Sequence, residues 1–586
     1  MFLKYIPVLS LLSIFLMLLS CDTKQPKEIT ILFTTDIHGA LFSQDFNKNK
    51  KAAVSLSNVS SFVKQERKSN PDGLIVLDGG DFLQGQPSVY YSNFVDTVNE
   101  HIVTRTFDFI GYDAAAVGNH DIEPGEEVYQ RLKNEFHFKW IAANAIDVRT
   151  GKPYFTPYIV INKDGLKVAV LGMITPNIHS WLPKYLWKNI EFEDMVETAQ
   201  KWIPIIKNTE KPDLIIGLFH SGFDYEVNGG NIDTPKNENG GIPTAMKVDG
   251  FDILLLGHDH QERLEEITNN FGNKVYVINA KTEACFVGKS TVKFIPDGGK
   301  YKKEIITELV DMNNYPLDEK YEKTFSGFVD TINSYVDAEI GFITKTITSH
   351  KALFGPSEFM DIIHNAQLDA TGADVSFAGL LSNNSEVKEG KITMGDLFSL
   401  YKYENLLYTM SLTGKEIKCF LEYGYGKQYN TMHSENDHLL NYKKDKDGKL
   451  VESERNGGYL LITPSFNFIS AAGIKYTVDV SKEPGERVVI SSMSDGSAFD
   501  ENRRYNVAVN SYQASGGGGF FSEGLNFSKD ETEKRIIVAS TIDVRKYVAD
   551  YIIKQKIINP VSRNDWRVIP ENYFKKGMAK DMAIRN

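Results

Sequence analysis

Side chains that can bind metal ions or transfer protons recur in the first half of the sequence, each shortly after an apolar run. The stretches are "FTTDIHG" with Asp36 and His38, "LDGGDFLQG" with Asp81, "VGNHDIE" with Asn119 and His120, "GLFHSG" with His220, and "LLLGHDHQ" with His258 and His260. Short apolar runs of this kind predict buried strands. Because a mostly parallel sheet places its ligand crevice at the carboxyl ends of its strands, we expect these side chains to lie close together.

This set of imidazole, carboxylate and amide groups suits a site for two divalent cations, and such mixed ligands accept Mn, Zn, Co or Fe. Two cations about 3.5–4 Å apart can stabilise the attacking and the leaving oxygen of an in-line displacement at phosphorus. One carboxylate must bridge them, and Asp81, in the middle of the series, is the candidate. A single Asp-x-His or His-x-His in a loop is more often incidental, but five pieces at successive strand ends predict a dinuclear site.

The spacing within two of these pieces predicts how their side chains point. Side chains in an extended chain alternate between two faces, so Asp36 and His38 would point to the same side. The same geometry would apply to His258 and His260.

The elements that must position these residues form the first of two predicted domains, because 586 residues are too many for one ordinary core. Between residues 28 and 305, short apolar runs alternate with helical or loop segments, which predicts a layered α/β domain. The runs are "ITILFTT", "GLIVLDGG", "DAAAVG", "WIAANA", "LKVAVLGMI", "DLIIGLF", "FDILLLG" and "KVYVINA".

The remaining sequence predicts a connector and a second domain. Residues 314–340 lack strand character and have the apolar spacing of a helix, so we predict an interdomain linker helix there. Residues 341–566 mix helix signals such as "TGKEIKCFLEYG" with strand signals such as "GIKYTVDV". Within them, the polar stretch 427–458 predicts an exposed insertion, and residues 567–586 are left as a tail.

Composition and charge narrow the range of partners. An apolar content of 42% and a charged content of 24% are typical of a globular protein. The net charge of −12 and the pI near 5.6 argue against long nucleic acid as a partner, but they are compatible with small nucleotides held by metals. No feature of the sequence implies an obligate protein partner.

The N-terminus predicts export. Residues 1–21 contain a lysine, an apolar run too short for a typical membrane span, and a terminal "LLSC" that resembles a bacterial lipobox. We therefore expect a lipoprotein anchored through Cys21 to a bacterial membrane, in the periplasm or on the cell surface. An ordinary cleaved signal, or a short anchor with an incidental Cys21, remains the alternative. The other cysteines, Cys285 and Cys419, are too few for a thiolate zinc site and are expected to be buried apolar fillers.

The five pieces together resemble the motifs of the calcineurin-like metallophosphoesterases. The similarity is to the exported branch with a second domain, the 5′-nucleotidase and 2′,3′-cyclic-nucleotide phosphodiesterase/3′-nucleotidase family. It implies an α/β fold: an N-terminal four-layer α/β/β/α sandwich followed by a C-terminal α+β substrate-binding domain of the 5′-nucleotidase type. It also implies two divalent cations. The first would be held by Asp36, His38, Asp81 and His260, and the second by Asp81, Asn119, His220 and His258.

The resemblance also assigns catalytic roles. The family's catalytic histidine matches His120, which would stabilise the transition state or act as an acid. In 5′-nucleotidases an aspartate three residues later orients this histidine, whereas this sequence has Glu123, a longer carboxylate that could still reach the imidazole. The neighbouring Asp121 is interpreted as structural. A water activated by the cations would be the nucleophile.

The second domain is expected to select the substrate. "LYKYENLLY" resembles the segment that supplies one aromatic wall of the base pocket, which places Tyr403 there with Asn405 nearby. "NVAVNSYQASGGGGFF" resembles the segment with the other wall, Tyr512. Composition alone would favour core packing for both tyrosines. The sequence has Gly518 where 5′-nucleotidases usually carry an aspartate for the ribose hydroxyls, and "GLLSNN" replaces the arginine-bearing "GGxR" pattern.

These two departures favour 2′,3′-cyclic nucleotides and 3′-nucleotides as substrates. Two alternatives stay open. One is a 5′-nucleotidase or nucleotide-sugar hydrolase that uses the same metals, and the other is an exported nucleotide-binding or adhesion lipoprotein without turnover.

Overall fold

The computed structural model describes residues 25–223, 234–298, 300–452 and 458–585. Across these ranges it contains no helix that is both long and apolar enough to cross a membrane. The predicted signal segment, with the candidate lipidation site Cys21, lies outside the described residues.

Two six-stranded sheets form the N-terminal domain, and in each sheet four neighbouring strands run parallel while the other two pair antiparallel. In spatial order the first sheet contains Lys300–Asp311, Phe286–Asp297, Lys27–Thr34, Leu74–Asp78, Ala114–Ala116 and Lys139–Ile141. The second contains Glu262–Thr268, Lys274–Ala280, Ile253–Leu256, Leu214–His220, Leu166–Ile174 and Tyr158–Lys163. All eight apolar runs that predicted strands are strands, and they supply the parallel core of both sheets.

The two sheets pack face to face, which explains why their strands are apolar on both sides. Side chains such as Phe33 and Leu77 of the first sheet meet Val170 and Leu218 of the second in one buried cluster. Helices cover the two outer faces, with Leu56–Ser69 against the first sheet and Met195–Thr209 against the second. The expected four-layer α/β/β/α arrangement is therefore confirmed.

Shorter elements complete the N-terminal domain. The remaining α-helices are Pro87–Tyr90, Ile102–Ile110, Asn119–Ile122, Glu126–Glu135 and Gly241–Lys247; a π-helix covers Tyr91–Val95, and 3₁₀ turns cover Pro176–Ser180, Lys184–Trp187 and Met312–Asn314. Small sheets are formed by Ile190–Phe192, Ala145–Asp147 and Lys152–Pro153, and by Gln44–Asp45 with Lys50–Lys51.

An 18-residue helix, Glu319–Val336, connects the domains within the segment that predicted a linker. Asp318 caps its first turn by accepting hydrogen bonds from the backbone N–H groups of Lys320 and Tyr321. Its buried face includes Tyr321 and Phe325, and the Phe325 ring centroid lies 6.0 Å from that of Phe42. This packing attaches the helix to the N-terminal domain.

The C-terminal domain is α+β and is built on a five-stranded mixed sheet with the order Ile469–Ala472, Val375–Gly379, Arg504–Asn510, Leu406–Thr413 and Ile536–Asp543. Its other strands are Val488–Met493, Ile474–Asp479 and Trp566–Ile569, then Gly390–Thr393, Glu339–Ile343 and Ile557–Ile558, then Ile347–Thr348 with Glu386–Val387. Its α-helices are Glu358–Thr371, Met394–Leu400, Gly414–Gln428, Ser511–Ala514, Lys529–Arg535, Val544–Gln555 and Glu571–Ala583, with shorter turns at His350–Leu353, Ser465–Asn467, Gly517–Gly519 and Phe520–Gly524.

The described part of the polar stretch 427–458, residues 427–452 and 458, is less exposed than its composition predicts. Leu439 and Leu440 are buried, although the charged residues 443–449 lie on the surface. The reason lies at the end of the chain, where the helix Glu571–Ala583 packs against this stretch. Its buried Asp581 accepts hydrogen bonds from His438 Nδ1 at 2.5 Å and from the Leu440 N–H at 2.7 Å. Cys285 and Cys419, expected to be buried, are both half-buried and unpaired.

Candidate active site

The carboxyl ends of the parallel strands meet at one edge of the sandwich and bring the sequence-predicted polar residues together. Two groups of potential metal ligands form there and share Asp81. The first contains Asp36, His38, Asp81 and His260, and the second contains Asp81, His220 and His258, with ligand atoms within 4.8 Å of one another in each group. The carboxamide oxygen of Asn119 lies 3.0 Å from His220 Nε2 and therefore adjoins the second group.

Donor atoms of the first group converge on a common point. The Nε2 atoms of His38 and His260 are 3.0 Å apart, and Asp36 Oδ1 lies 3.2 Å from His260 Nε2. His38 Nδ1 is buried and has no hydrogen-bond partner among the described residues. Two imidazole lone pairs and a carboxylate that share one point are the donor set expected of a transition-metal ligand sphere, so the residues fit a cation here.

The second group has a similar convergence around Asn119. His220 Nε2 lies 3.1 Å from Asp81 Oδ2, and His258 Nδ1 lies 2.9 Å from Asn119 Oδ1. The other ring nitrogen of His220, Nδ1, faces the carbonyl oxygen of Gly79 at 2.8 Å, which holds a proton on Nδ1 and directs Nε2 toward the candidate metal position. This donor set also fits a divalent cation.

Burial and mutual charge set the protonation of these groups. Burial and, to a smaller extent, the neighbouring His260 lower the pKa of His38 to about 3, so the ring is a neutral donor. For Asp36, burial opposes ionisation, but the His260 contact outweighs it and holds the pKa at about 2. Burial likewise opposes ionisation of Asp81, yet the charges of His220 and His120 hold its pKa well below the usual range. Both carboxylates are therefore ionised at neutral pH, as metal ligands must be.

The local backbone differs from the extended geometry that we expected. Asp36 (φ +50°), His38 (φ +46°), His258 (φ +77°) and His260 (φ +56°) all lie in the left-handed region, as does Asp81 (φ +62°). The strands end before these residues, so the alternation of an extended strand does not apply. The residue pairs do meet, but tight left-handed turns bring them together.

The loop that carries Asp81 is held by Gly118 and Asp121, which explains part of the "VGNHD" stretch. A Cβ atom on Gly118 would lie 2.1 Å from Asp81 Oδ1, so glycine permits this close approach. The buried carboxylate of Asp121 accepts hydrogen bonds from the backbone N–H groups of Asp81 at 2.9 Å, Phe82 at 3.0 Å and Gly118 at 2.8 Å. Asp121 thus ties two strand-end loops together.

His120 contacts Glu123 as the sequence allowed. Its Nδ1 lies 2.5 Å from Glu123 Oε2, and its backbone N–H donates to Asp81 Oδ1 at 2.8 Å. Burial lowers the pKa of His120, but the charges of Asp81 and Glu123 outweigh it and raise the pKa to about 10. The ring is therefore protonated on both nitrogens and positively charged at neutral pH. Two bound cations would counter the negative charge of Asp81 and so lower the pKa of His120.

Sequence reasoning missed Glu238, whose Oε1 lies 3.0 Å from His258 Nε2. Glu238 follows no apolar run, so the strand-end pattern gave no signal for it. It also missed Trp181, whose ring centroid lies 5.4 Å from that of His258 at an angle of 33°.

A cavity of about 660 Å³ lies between the two domains and reaches the candidate metal ligands. Its walls include His38, His120 and His260 from the N-terminal domain and Tyr403 from the C-terminal domain. The structure thus brings Tyr403 to the site. Asn405 instead hydrogen-bonds the Tyr401 hydroxyl and is not a wall of this cavity.

Tyr512 lies on the C-terminal side of the site, where burial and the nearby Glu238 and Tyr403 raise its pKa to about 12. The glycine-rich loop packs against its ring, since a Cβ atom on Gly517 would lie 2.4 Å from the ring. Gly518 has φ +73°, and a Cβ atom there would lie 2.7 Å from the Phe520 ring. This position therefore admits no side chain without rearrangement.

A buried ion pair supports the loop that carries Tyr403. Arg545 Nη1 lies 2.9 Å from Glu404 Oε1, and Arg545 also donates to the backbone carbonyls of Tyr401 at 2.9 Å and Lys402 at 2.6 Å. Arg545 is 2% exposed, and its guanidinium stacks over the Tyr90 ring of the N-terminal domain at 4.9 Å. This network joins the two domains beside the cavity.

Comparison with known sequences identifies both domains. Residues 29–262 match the family model for the calcineurin-like phosphoesterases, and residues 339–523 match the model for the 5′-nucleotidase C-terminal domain. The first match spans all the candidate metal ligands, and the second spans Tyr403 and Tyr512.

Three curated relatives resemble most of the chain. The trifunctional nucleotide phosphoesterase protein YfkN of Bacillus subtilis is 25% identical over 92% of this chain, which spans only 39% of that relative's length. The 2′,3′-cyclic-nucleotide 2′-phosphodiesterase/3′-nucleotidase of Haemophilus influenzae is 24% identical over 93% of this chain and 88% of its own length. A 5′-nucleotidase of Vibrio vulnificus is 24% identical over 67% of this chain and 75% of its own length.

The fold also has a solved counterpart. A structure from Staphylococcus aureus, provisionally named a 5′-nucleotidase, aligns with a TM-score of 0.75 at 20% identity and covers 92% of this chain and 100% of that one. Sequence and fold comparisons thus agree on both domains and on their order. The chain belongs to the metallophosphoesterases that join a calcineurin-like domain to a 5′-nucleotidase C-terminal domain.

Proposed function

We propose that the chain hydrolyses nucleotide phosphoesters, with 2′,3′-cyclic nucleotides and 3′-nucleotides as its main substrates and nucleosides and phosphate as products. One observation carries this proposal. Two groups of potential metal ligands share Asp81, and the first of them opens through His38 and His260 onto the same interdomain cavity as His120 and Tyr403. The cavity therefore combines a site for phosphoryl chemistry with an aromatic wall that a nucleobase could contact.

Two divalent cations fit the shared site. Asp36, His38, Asp81 and His260 would hold one, and Asp81, Asn119, His220 and His258 would hold the other. When bound, such cations supply a nucleophilic water at neutral pH and neutralise charge on the phosphoryl oxygens. The donor set is compatible with Mn, Zn, Co or Fe.

His120 and Glu123 supply the proton chemistry. Glu123 engages Nδ1 of the imidazole, so Nε2 is the ring nitrogen that remains for a substrate on the cavity side. A protonated His120 can stabilise the phosphoryl oxygens or donate its proton to the leaving alkoxide. The carboxylate stabilises the positively charged ring and fixes its orientation, which is the role of a positioning partner.

The walls of the C-terminal domain favour the cyclic and 3′-phosphoesters. Ser382 and Asn384, from the "GLLSNN" stretch, line the cavity where the arginine-bearing pattern of 5′-nucleotidases is absent. The crowded, left-handed Gly518 leaves no room for a carboxylate to hold the ribose hydroxyls. Stacking of a base on Tyr403 and Tyr512 would be tolerant of base identity, because every base has a π-face.

A 5′-nucleotidase or nucleotide-sugar hydrolase activity is the second candidate, and the similarity to the Vibrio 5′-nucleotidase favours it. A comparison of substrates separates the two. We would purify the full chain in detergent, load it with Mn²⁺, and measure phosphate release from 3′-AMP and 5′-AMP and ring opening of 2′,3′-cyclic AMP. Turnover of 3′-AMP and the cyclic ester with little turnover of 5′-AMP supports the proposal.

Dominant turnover of 5′-AMP would reverse the substrate assignment but leave the dinuclear site intact. An inactive, metal-loaded protein that still binds nucleotide would instead support a nucleotide-binding lipoprotein. Asp81→Ala and His120→Ala serve as controls, because any phosphatase activity that survives both substitutions comes from a contaminant.

We further propose export and membrane attachment through a lipid on Cys21, on the basis of the apolar run and the "LLSC" ending of residues 1–21. Mass spectrometry of the N-terminal peptide from cells tests this. A diacylated peptide that begins at Cys21, and its loss in Cys21→Ser, is the expected result. An unmodified N-terminus at another residue would show an ordinary cleaved signal.

A further inference from the structure

Glu238 contacts a candidate metal ligand without belonging to the ligand set. Its Oε1 lies 3.0 Å from His258 Nε2, and the opposite ring nitrogen of His258, Nδ1, lies 2.9 Å from Asn119 Oδ1. Each nitrogen of this imidazole therefore has its own partner: Nε2 faces the carboxylate, and Nδ1 faces the candidate metal position. A metal-binding histidine needs its metal-facing nitrogen unprotonated, and a carboxylate on the other nitrogen secures that tautomer.

The backbone of Glu238 is anchored independently of this contact. Its carbonyl oxygen accepts hydrogen bonds from Thr175 Oγ1 at 2.9 Å and from Ser221 Oγ at 2.7 Å. Thr175 and Ser221 are both fully buried and immediately follow two neighbouring strands of the second sheet. The carboxylate is thus presented to His258 from a fixed backbone position.

The ring of His258 is also confined by its neighbours. The Trp181 ring lies 5.4 Å from it at 33°, and the His220 ring lies 5.3 Å from it at 67°. Packing limits the tilt of the imidazole, but it does not choose which nitrogen carries the proton. Glu238 makes that choice electrostatically, because a carboxylate stabilises an N–H directed at it.

We propose that Glu238 is a positioning residue that sets the affinity of the metal position formed by Asp81, Asn119, His220 and His258, with little effect on the other position. The inference rests on the proposed dinuclear site. It adds a carboxylate from the 234–240 segment, outside both ligand groups. The other position uses Asp36, His38 and His260, whereas Glu238 Oε1 contacts His258, a ligand of the position that contains Asn119 and His220.

Metal titration of the full chain tests the proposal without any activity assay. Metal-free protein in detergent is titrated with Mn²⁺ by calorimetry, and bound metal is counted by elemental analysis at limiting free Mn²⁺. Loss of an outer carboxylate typically weakens metal binding about 10- to 100-fold, so Glu238→Ala should weaken one Mn²⁺ by that factor and leave the other unchanged. At limiting free Mn²⁺, the amount of Mn²⁺ bound to Glu238→Ala should fall toward half of the amount bound to the wild-type protein.

Two further variants separate positioning from general disruption. Glu238→Gln keeps an acceptor for the Nε2–H but loses the charge, and since charge-assisted hydrogen bonds are roughly twice as strong as neutral ones, we expect about a three- to tenfold weakening at the same position. Lys236→Ala is the matched control on the same segment. Lys236 pairs with Glu191 at 3.1 Å on the surface, and its loss should leave both affinities unchanged.

Specific outcomes would overturn the inference. Two wild-type affinities in both Glu238 variants, or equal weakening of both positions, would exclude a selective role for Glu238. If Glu238→Ala does not fold, Glu238→Gln decides alone, and unchanged binding in it refutes the proposal. A wild-type protein that binds no Mn²⁺ pair would refute the dinuclear site itself, so the two failures are distinguishable.

Discussion

The contact between His120 and Glu123 allows a direct test of how the histidine acts. The sequence has glutamate where 5′-nucleotidases have aspartate, and the structure places its Oε2 2.5 Å from His120 Nδ1. Glu123 is buried, so its charge is poorly screened by solvent. Glu123→Gln keeps the size of the side chain and an oxygen acceptor but removes the negative charge that stabilises the protonated ring.

The magnitude follows from the value of this hydrogen bond. A hydrogen bond to a charged group is worth about 1.5–3 kcal/mol. Because each 1.36 kcal/mol corresponds to a tenfold change in rate, full loss of this stabilisation in the transition state lowers kcat by about 10- to 150-fold. His120→Ala removes the acid itself and should cost about 100- to 10,000-fold.

The assay compares two leaving groups. If His120 donates a proton to the departing alkoxide, Glu123→Gln should reduce kcat strongly for 3′-AMP but only a few-fold for a p-nitrophenyl phosphodiester, whose phenolate leaves without protonation. Metal content should be unchanged, since Glu123 belongs to neither ligand group. Glu127→Gln, an exposed glutamate four residues away, is the matched control. Equal losses on both substrates would refute leaving-group protonation, and kcat within twofold of wild type on both would refute any role for the carboxylate.

Further predictions concern the metals, the substrate pocket and the domain contact. Asp81→Asn should lower the Mn²⁺ content measured by elemental analysis at both positions, because Asp81 belongs to both ligand groups. Tyr403→Ala and Tyr512→Ala should each raise KM for 3′-AMP by about 5- to 150-fold with little change in kcat, since base stacking is worth about 1–3 kcal/mol, while the phenylalanine variants stay near wild type. Arg545→Ala should lower the free energy of unfolding, measured with urea, by about 3–5 kcal/mol, because it leaves Glu404, whose side chain is only 11% exposed, unpaired. Replacing both members of that pair with apolar residues of similar volume should recover much of the loss.

The sequence was most informative where a potential metal ligand directly follows an apolar strand. Apolar runs buried on both faces predicted the eight parallel strands, because a sheet covered on two sides leaves no polar face to interrupt the pattern. The candidate ligands follow those runs directly, so their proximity followed from the topology of parallel sheets. Asp36 and His260 are 224 positions apart in the sequence and follow strands of different sheets, yet both lie at the edge of the sandwich where the carboxyl ends of the parallel strands meet, and their proximity was predicted.

Contacts that depend on the packing of irregular segments could not be predicted in this way. Glu238 reaches His258 from a segment with no periodic signal, and Arg545 pairs with Glu404 across 141 positions without a motif around either residue. The direction of the Asn405 side chain also could not be predicted from the sequence. Its place in the sequence suggested the base pocket, but its side chain hydrogen-bonds Tyr401, because side-chain direction in a loop depends on neighbours that the sequence pattern does not specify.

Five candidate ligands have left-handed backbone, and this conformation restricts which residue types can occupy their positions. Such conformations cost on the order of 1–3 kcal/mol each, and for five residues the sum is comparable to the net stability of a protein, so the surrounding structure must offset it. The hydrogen bonds that place the ligands provide part of that offset. Asp36 accepts the His258 N–H at 3.0 Å, and Asp121 accepts the N–H groups of the loop that begins at Asp81. Aspartate and histidine are among the residues that adopt this region most readily. The residues that can bind the cations are therefore also those that tolerate the turns needed to bring them together.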